Sequence, residues 1–273
     1  WALCGGVVGV QGGGGGGARW VGAGAGVVAR MEMAGYCAPD CDSPAAGQRR
    51  VDEEDATVVP VMEEEAVTER ILVRDAVLPA DLSGFDRLSV DVQVTCHLAP
   101  GDCSEWDRIA YVHVCEDAEC TTANELVRWI TPYSRPGTRR WLLEASPLLP
   151  LLGDGGTKTL RVTMGPAWEE ATPRVVSVSL RLQSSGEARA SEALLAFRGG
   201  EFNAEYNAGQ APFVFTPPAE ATRVELVTIV SGHGQTERDN CAEWCNHVHD
   251  FSIGGSVHTI DHEGQAGQAR GCA

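Results

Sequence analysis

Two stretches of the chain carry the residue types that hydrolytic chemistry needs. Cys103-Ser104-Glu105-Trp106-Asp107-Arg108 sets a carboxylate between an indole and a guanidinium, and Cys241-Ala242-Glu243-Trp244-Cys245 sets a second carboxylate between two cysteines. One carboxylate can activate water by taking its proton, and another can hold the substrate or steady the leaving group, provided that both are held rigidly. The cysteines offer that rigidity. Cys96 and Cys103 bracket a short Pro/Gly loop ahead of Asp107, and Cys241 and Cys245 bracket Glu243. Four residues of extended strand would keep the second pair about 13 Å apart, whereas a disulfide needs Cα atoms within about 7 Å, so that segment turns if the two pair. Competing uses exist for both stretches. Asp107 could cap or bend a strand as an ordinary surface carboxylate. Cys241, Cys245, His247 and His249 together offer two sulfurs and two imidazoles to a metal, although zinc sites of that composition usually separate the pairs by roughly a dozen residues.

The elements that must position these groups read as strands. Leu88 to Val94, apolar at every second position, leads into Cys96, and Ile109 to Val114 follows Asp107, which places that carboxylate at the mouth of a strand. Further strand-like runs are Arg70 to Val77, Leu126 to Thr131, Arg139 to Glu144, Thr159 to Met164 and Arg174 to Leu182. Val176 to Leu182 alternates apolar with polar, as a half-buried strand does. Short strands at this spacing predict a sandwich or jelly roll. Pro147 and Pro150 limit any helix in the run Leu148-Leu149-Pro150-Leu151-Leu152 to about a turn. Gln183 to Glu187 is polar and small, and reads as a domain boundary. Beyond it Ala193 to Arg198, Ala211 to Thr216, Arg223 to Val230, Phe251 to Ile253 and Val257 to Ile260 form a second set, too short for a closed sandwich. The predicted organisation is an all-β chain: a first jelly-roll domain over 66–184 and a second, incomplete one over 190–273, after a leader over 1–65.

That leader is read as disordered. It opens on a Gly/Ala/Val mixture with a six-glycine run from Gly12 to Gly17, and from Met31 to about Glu65 it turns polar and acidic like a linker. Trp1 to Val10 also fits the remainder of a signal-peptide core. No stretch is long and apolar enough to span a bilayer. With 38 acidic residues against 21 basic ones, a formal charge of −17 speaks against nucleic acid as a partner. Ten cysteines suit an oxidising compartment, so a secreted or periplasmic protein is expected, cell-surface attachment included.

Val94-Thr95-Cys96, Cys103 through Val112, Trp129-Ile130-Thr131-Pro132-Tyr133, Ser231-Gly232-His233-Gly234 and Asn240 through Cys245 resemble the peptide-N-glycosidase F family in order and separation. The resemblance covers roughly Arg70 to Cys272. It implies two jelly rolls side by side with the site between them. It also implies hydrolysis of the amide bond between asparagine and the first N-acetylglucosamine of an N-linked glycan, leaving aspartate. Matched by motif, Asp107 takes the place of the family's essential aspartate and would activate water, while Glu243 takes that of its second carboxylate. Arg108, Trp106, Trp168 and Trp244 would contact substrate, and Cys96 with Cys103 and Cys241 with Cys245 would form disulfides. No metal or organic cofactor is implied, the partners would be N-glycosylated proteins or glycopeptides, and the chain would act as a monomer.

Two departures bear on that reading. Where the family has a third acidic residue, the candidate positions here are Gly165 and Pro166. The family also continues past the position of Cys272, so the resemblance implies a C-terminally truncated chain. Two other classes fit part of the pattern: a non-catalytic jelly roll that binds glycans or protein surfaces, and a copper-dependent peptide monooxygenase-like protein using His247 and His249.

Overall fold

The alternation expected from Val176 to Leu182 holds as far as Leu180, and Arg181 beyond it is buried as well. Val176, Val178, Leu180 and Leu182 are wholly buried, and the intervening Ser177 and Ser179 are not. A computed structural model describes residues 2–12, 27–33, 55–96, 106–131, 136–165, 173–197, 199–201, 205–219, 221–231 and 248–261. The described elements are nearly all strand: β1 (Ala2–Gly12), β2 (Val27–Met33), β3 (Thr57–Val67), β4 (Ile71–Val77), β5 (Arg87–Cys96), β6 (Ile109–Cys115), β7 (Ala123–Ile130) and β8 (Gly137–Glu144) come first. They are followed by β9 (Thr157–Thr163), β10 (Arg174–Gln183), β11 (Ala190–Phe197), β12 (Gly200–Glu201), β13 (Ala221–Ser231), β14 (Val248–Ile253) and β15 (Ser256–Asp261). The described strands divide into two compact units, β3 to β10 in one and β1, β2 and β11 to β15 in the other, the chain passing from the first of these to the second between Glu187 and Ala188.

β3 to β10 make two four-stranded antiparallel sheets, ordered β3-β10-β5-β8 and β4-β9-β6-β7. Successive strands β3 and β4, β5 and β6, β7 and β8, and β9 and β10 lie in different sheets, which is the strand order of a jelly roll. The register shows where the chain crosses. Val67, Arg174, Cys96 and Gly137 share one end of the first sheet. Ile71, Thr163, Ile109 and Ile130 share one end of the second. The short link from Val67 to Ile71 makes these the same end of the sandwich, so these four crossings leave from it, while the other two, β4 to β5 and β8 to β9, are made at the opposite end. The core between the sheets holds Val90, Val92, Leu72, Val112, Leu160, Val162 and Trp129. Burying such side chains is worth about 1.5–3 kcal/mol each.

Two expectations for this unit change. The segment read as acidic linker contributes β3, because Val59, Val61 and Met62 bury against the core while Glu63 and Glu64 stay outside; the first domain therefore begins before residue 66. The Leu-rich run forms a seven-residue 3-10 helix, Ser146–Leu152, longer than the single turn that its prolines suggest. Leu148, Leu149 and Leu152 are buried there, and Gly153, at φ 59°, ends it with a bond from its N–H to the Pro150 carbonyl. Cys115 and Cys120 form a disulfide across the turn between β6 and β7.

In the second unit β13 is flanked by β1 (antiparallel) and β2 (parallel), with β11 and β12 on the far side of β1, and β14 pairs with β15 as a hairpin. Ala2–Gly12 and Val27–Met33, expected in the disordered leader, are thus strands. Pairing is a backbone property: a bare β13 would expose rows of N–H and C=O groups, and a Gly/Val-rich segment can satisfy them. Ala211 to Thr216, expected as strand, has no ladder. Pro212 lacks an N–H, Pro217-Pro218 ends the run, and Phe213 stacks on Phe215 at 5.6 Å instead. Ala221, Val224 and Leu226 form the small core of this unit, packed by Phe197, Phe215, Phe251 and Ile253.

Candidate active site

Asp107 and Arg108 lie immediately before β6, at the end of the first unit where four of its six crossings between sheets are made. Both are half-buried, and Trp106 beside them is exposed (49%). The Arg108 N–H donates to the Thr131 hydroxyl at 2.8 Å, and the Thr131 N–H donates to the Arg108 carbonyl at 2.8 Å. Arg108 also folds back, its Nη1 donating to the Asp107 carbonyl at 3.1 Å. Behind this turn Trp129 is fully buried with Trp141 at 6.3 Å. Cys96, at the end of β5, is buried and held in a disulfide. Gly165, just after β9, lies against the Arg108 stem; a Cβ there would stand 3.5 Å from Arg108 Cβ. Its φ of +134° is one that L side chains rarely adopt, so any side chain at Gly165 would strain this backbone.

Trp168, Cys103, Cys241, Glu243, Trp244, Cys245, His247 and Pro166 lie outside the described residues. His249 is buried and stacked on Phe251 (6.5 Å, 14° between planes). Among the described residues, no group of three or more His, Cys, Asp or Glu side chains could hold a metal ion.

Residue-level reading missed Thr131 as part of the site, and it missed a charged cluster on the non-core face of β6 and β7. There Arg128 donates through Nε and Nη2 to both oxygens of Glu125, at 2.8 and 3.2 Å. The guanidinium carbon sits 4.9 Å from the centre of the Tyr111 ring. His113 Nε2 stands 3.9 Å from Glu125 Oε2. Burial pushes the Glu125 carboxyl up and draws the Arg128 guanidinium down to about 9, which leaves the arginine charged at neutral pH. The two-pronged bond is what makes so buried a pair tolerable. Burial, aided by Arg161, lowers the His113 imidazole to about 4, and burial with Glu125 raises the Tyr111 phenol. The odd-numbered polar residues of β6 are the available signal: Tyr111 and His113 alternate with Ala110, Val112 and Val114, and a polar row opposite a core row needs partners.

Residues 201–273 match the family model described as peptide-N-glycosidase F, C terminal, a span that includes Glu243. Over those residues the chain resembles the peptide-N-glycosidase F family. Among solved structures it is similar to a peptide-N(4)-(N-acetyl-beta-D-glucosaminyl) asparagine amidase, with 19% identity over 48% of this chain and 42% of that one and a TM-score of 0.38. It is also similar to PNGase F, a glycosylasparaginase from Flavobacterium meningosepticum, with 20% identity, 48% and 42% coverage and a TM-score of 0.36. A third similarity is to PNGF-II, at 12% identity, 51% and 36% coverage and a TM-score of 0.37. The chain thus spans less than half the length of these peptide-N-glycosidase structures. No curated protein matches.

Proposed function

We propose that this chain carries the site of an amidase that releases N-linked glycans from glycoproteins or glycopeptides. The observation that carries the reading is the match of residues 201–273 to the peptide-N-glycosidase F family, joined to an Asp-Arg pair at one end of a jelly roll. In this scheme Asp107 takes a proton from water, and the oxygen adds to the side-chain amide carbon of the glycosylated asparagine. The carbon–nitrogen bond then breaks, leaving an aspartate carboxylate on the peptide and an amine on the first sugar, with the proton passed to the departing nitrogen. Glu243 positions the substrate, and Arg108, Trp106, Trp168 and Trp244 contact it. Disulfides Cys96–Cys103 and Cys241–Cys245 hold the two carboxylate-bearing loops, and no cofactor takes part. The protein acts outside the cytoplasm as a monomer.

A second reading is a jelly roll that binds glycans without cleaving them. It is favoured by Gly165, which holds a backbone conformation unfavourable for a side chain at one of the two positions where the family would place its third carboxylate. One assay separates the two. A denatured N-glycoprotein is incubated with the chain and read by mobility shift and by the mass change of asparagine to aspartate. Glycan binding without either change would replace the amidase by the binder.

A further inference from the structure

The peptide joining Asp107 to Arg108 is held at both of its polar atoms by side chains. Its N–H donates to Thr131 Oγ1 at 2.8 Å, and its carbonyl accepts from Arg108 Nη1 at 3.1 Å. Thr131 follows β7 directly and is buried to 2% exposure. β6 and β7 pair from Ile109 opposite Ile130, so Arg108 and Thr131 stand where the next rung of the ladder belongs. In an ordinary antiparallel rung the two residues exchange N–H to carbonyl bonds in both directions. Here one half is ordinary, Thr131 N–H to Arg108 carbonyl, and in the other the threonine hydroxyl accepts the Arg108 N–H. The substitution lets the chain leave the ladder after Thr131 while the peptide behind Asp107 keeps a partner. Gly165 closes the opposite side, packing on the Arg108 stem with a backbone that only glycine adopts readily.

We infer that Thr131 is a positioning residue: its hydroxyl, with Gly165 as a floor under Arg108, fixes the Asp107–Arg108 peptide and so aims the Asp107 carboxylate. The inference rests on the reading of Asp107 as the water-activating group. A carboxylate on a peptide free to rock would keep its chemistry and lose its alignment, which lowers turnover more than substrate binding.

The experiment compares the full chain with Thr131→Ser, which keeps the hydroxyl, and Thr131→Val, which keeps the β-branched shape and removes it. Two quantities are read: kcat and KM on a glycopeptide, and hydrogen exchange of the Arg108 amide. Thr131→Ser is expected to match the parent in both. Thr131→Val is expected to lose about tenfold or more in kcat with KM within about threefold, and its Arg108 amide is expected to exchange faster. Faster exchange with unchanged kcat overturns the positioning role. Unchanged exchange in Thr131→Val overturns the geometric claim, whatever the turnover. A parent chain with no turnover overturns the amidase reading instead, and the exchange comparison still decides whether the hydroxyl holds the peptide. Loss of fold in Thr131→Val is recognised by a collapsed melting transition. Gly165→Ala then serves as the second probe, expected to lower kcat at unchanged KM, with an unaltered kcat counting against the inference.

Discussion

Asp107 is the single side chain on which the proposed chemistry depends, and Asp107→Asn removes its proton-accepting ability while keeping its shape. Glycan release is expected to fall by at least about a hundredfold with an unchanged melting temperature; turnover near that of the parent would refute its role. Glu243→Ala should cost less, about tenfold to a hundredfold, because a positioning group leaves residual catalysis. His113 gives a prediction independent of function. Its imidazole titrates near 4 when folded, below the ordinary 6.5, so the unfolded chain takes up the proton first as pH falls. Stability is therefore intact above about pH 6.5, declines between about 6.5 and 4, and levels off below. The gap corresponds to about 3 kcal/mol at most. Thermal melting of His113→Gln followed across that window should show a shallower decline than the parent, and parallel curves would show that His113 is not the group responsible.

At the scale of elements, the exit of β10 is held by the loop that precedes β5. The Asp86 carboxylate accepts from the backbone N–H groups of Ser185, Gly186 and Glu187 at 2.7 to 3.1 Å and from the Ser185 hydroxyl at 2.7 Å. These hydrogen bonds lower the Asp86 carboxyl even though burial opposes them. Its stabilising effect is present above the ordinary carboxyl value and is lost as pH falls through the lower, folded one. The three residues it grips end at the division between the two units. Asp86→Ala is expected to make the stretch around Gly186 cut faster by a protease while the first unit still melts cooperatively; equal cutting rates would show that the grip does not restrain the connector. The Glu125–Arg128 pair on β7 should behave in the opposite way. Removing one partner leaves a buried charge, so Arg128→Leu is expected to cost about 3–5 kcal/mol, measurable by denaturant melting, and Glu125→Gln with Arg128→Leu together to cost less than their sum.

Across the whole first unit, the jelly roll separates its two ends. Asp107, Thr131 and Gly165 belong to the end that carries four of the six crossings between sheets, and the Cys115–Cys120 disulfide staples the β6–β7 turn at the other. With a sequence separation of only 5, that disulfide closes a short loop, and the chain-entropy account gives it about 2 kcal/mol. Replacing both cysteines by serine is expected to lower the melting temperature by several degrees and leave any glycan release within about twofold of the parent. A large loss of turnover with an unchanged melting temperature would show that the two ends are coupled.

How much of this was legible beforehand depends on the range of the interaction concerned. Alternation of apolar and polar residues is a local property with a period of two, and it placed β4, β5, β6, β9 and β10 and set Asp107 at a strand mouth. Glycine and serine in 183–187 marked the division between units for the same reason. Partner choice is not local. β3 looked like linker because its three glutamates face out, and only the sheet shows that Val59, Val61 and Met62 pack inward. Ala2–Gly12 and Val27–Met33 lie beside long glycine-rich runs that read as leader, and become strands through the backbone groups of β13. Ala211 to Thr216 has the apolar residues of a strand, yet Pro212 and Pro217-Pro218 leave too few N–H groups for a ladder. Thr131 lies 23 residues from Arg108 and Asp86 lies 99 from Ser185. Sequence alone determined which residues could act as acid, base or strand, because those are properties of single side chains and their near neighbours. The tertiary structure decided which distant hydroxyl, glycine or carboxylate would meet them, because each backbone N–H removed from water must find an acceptor, and the fold determines which one is within reach.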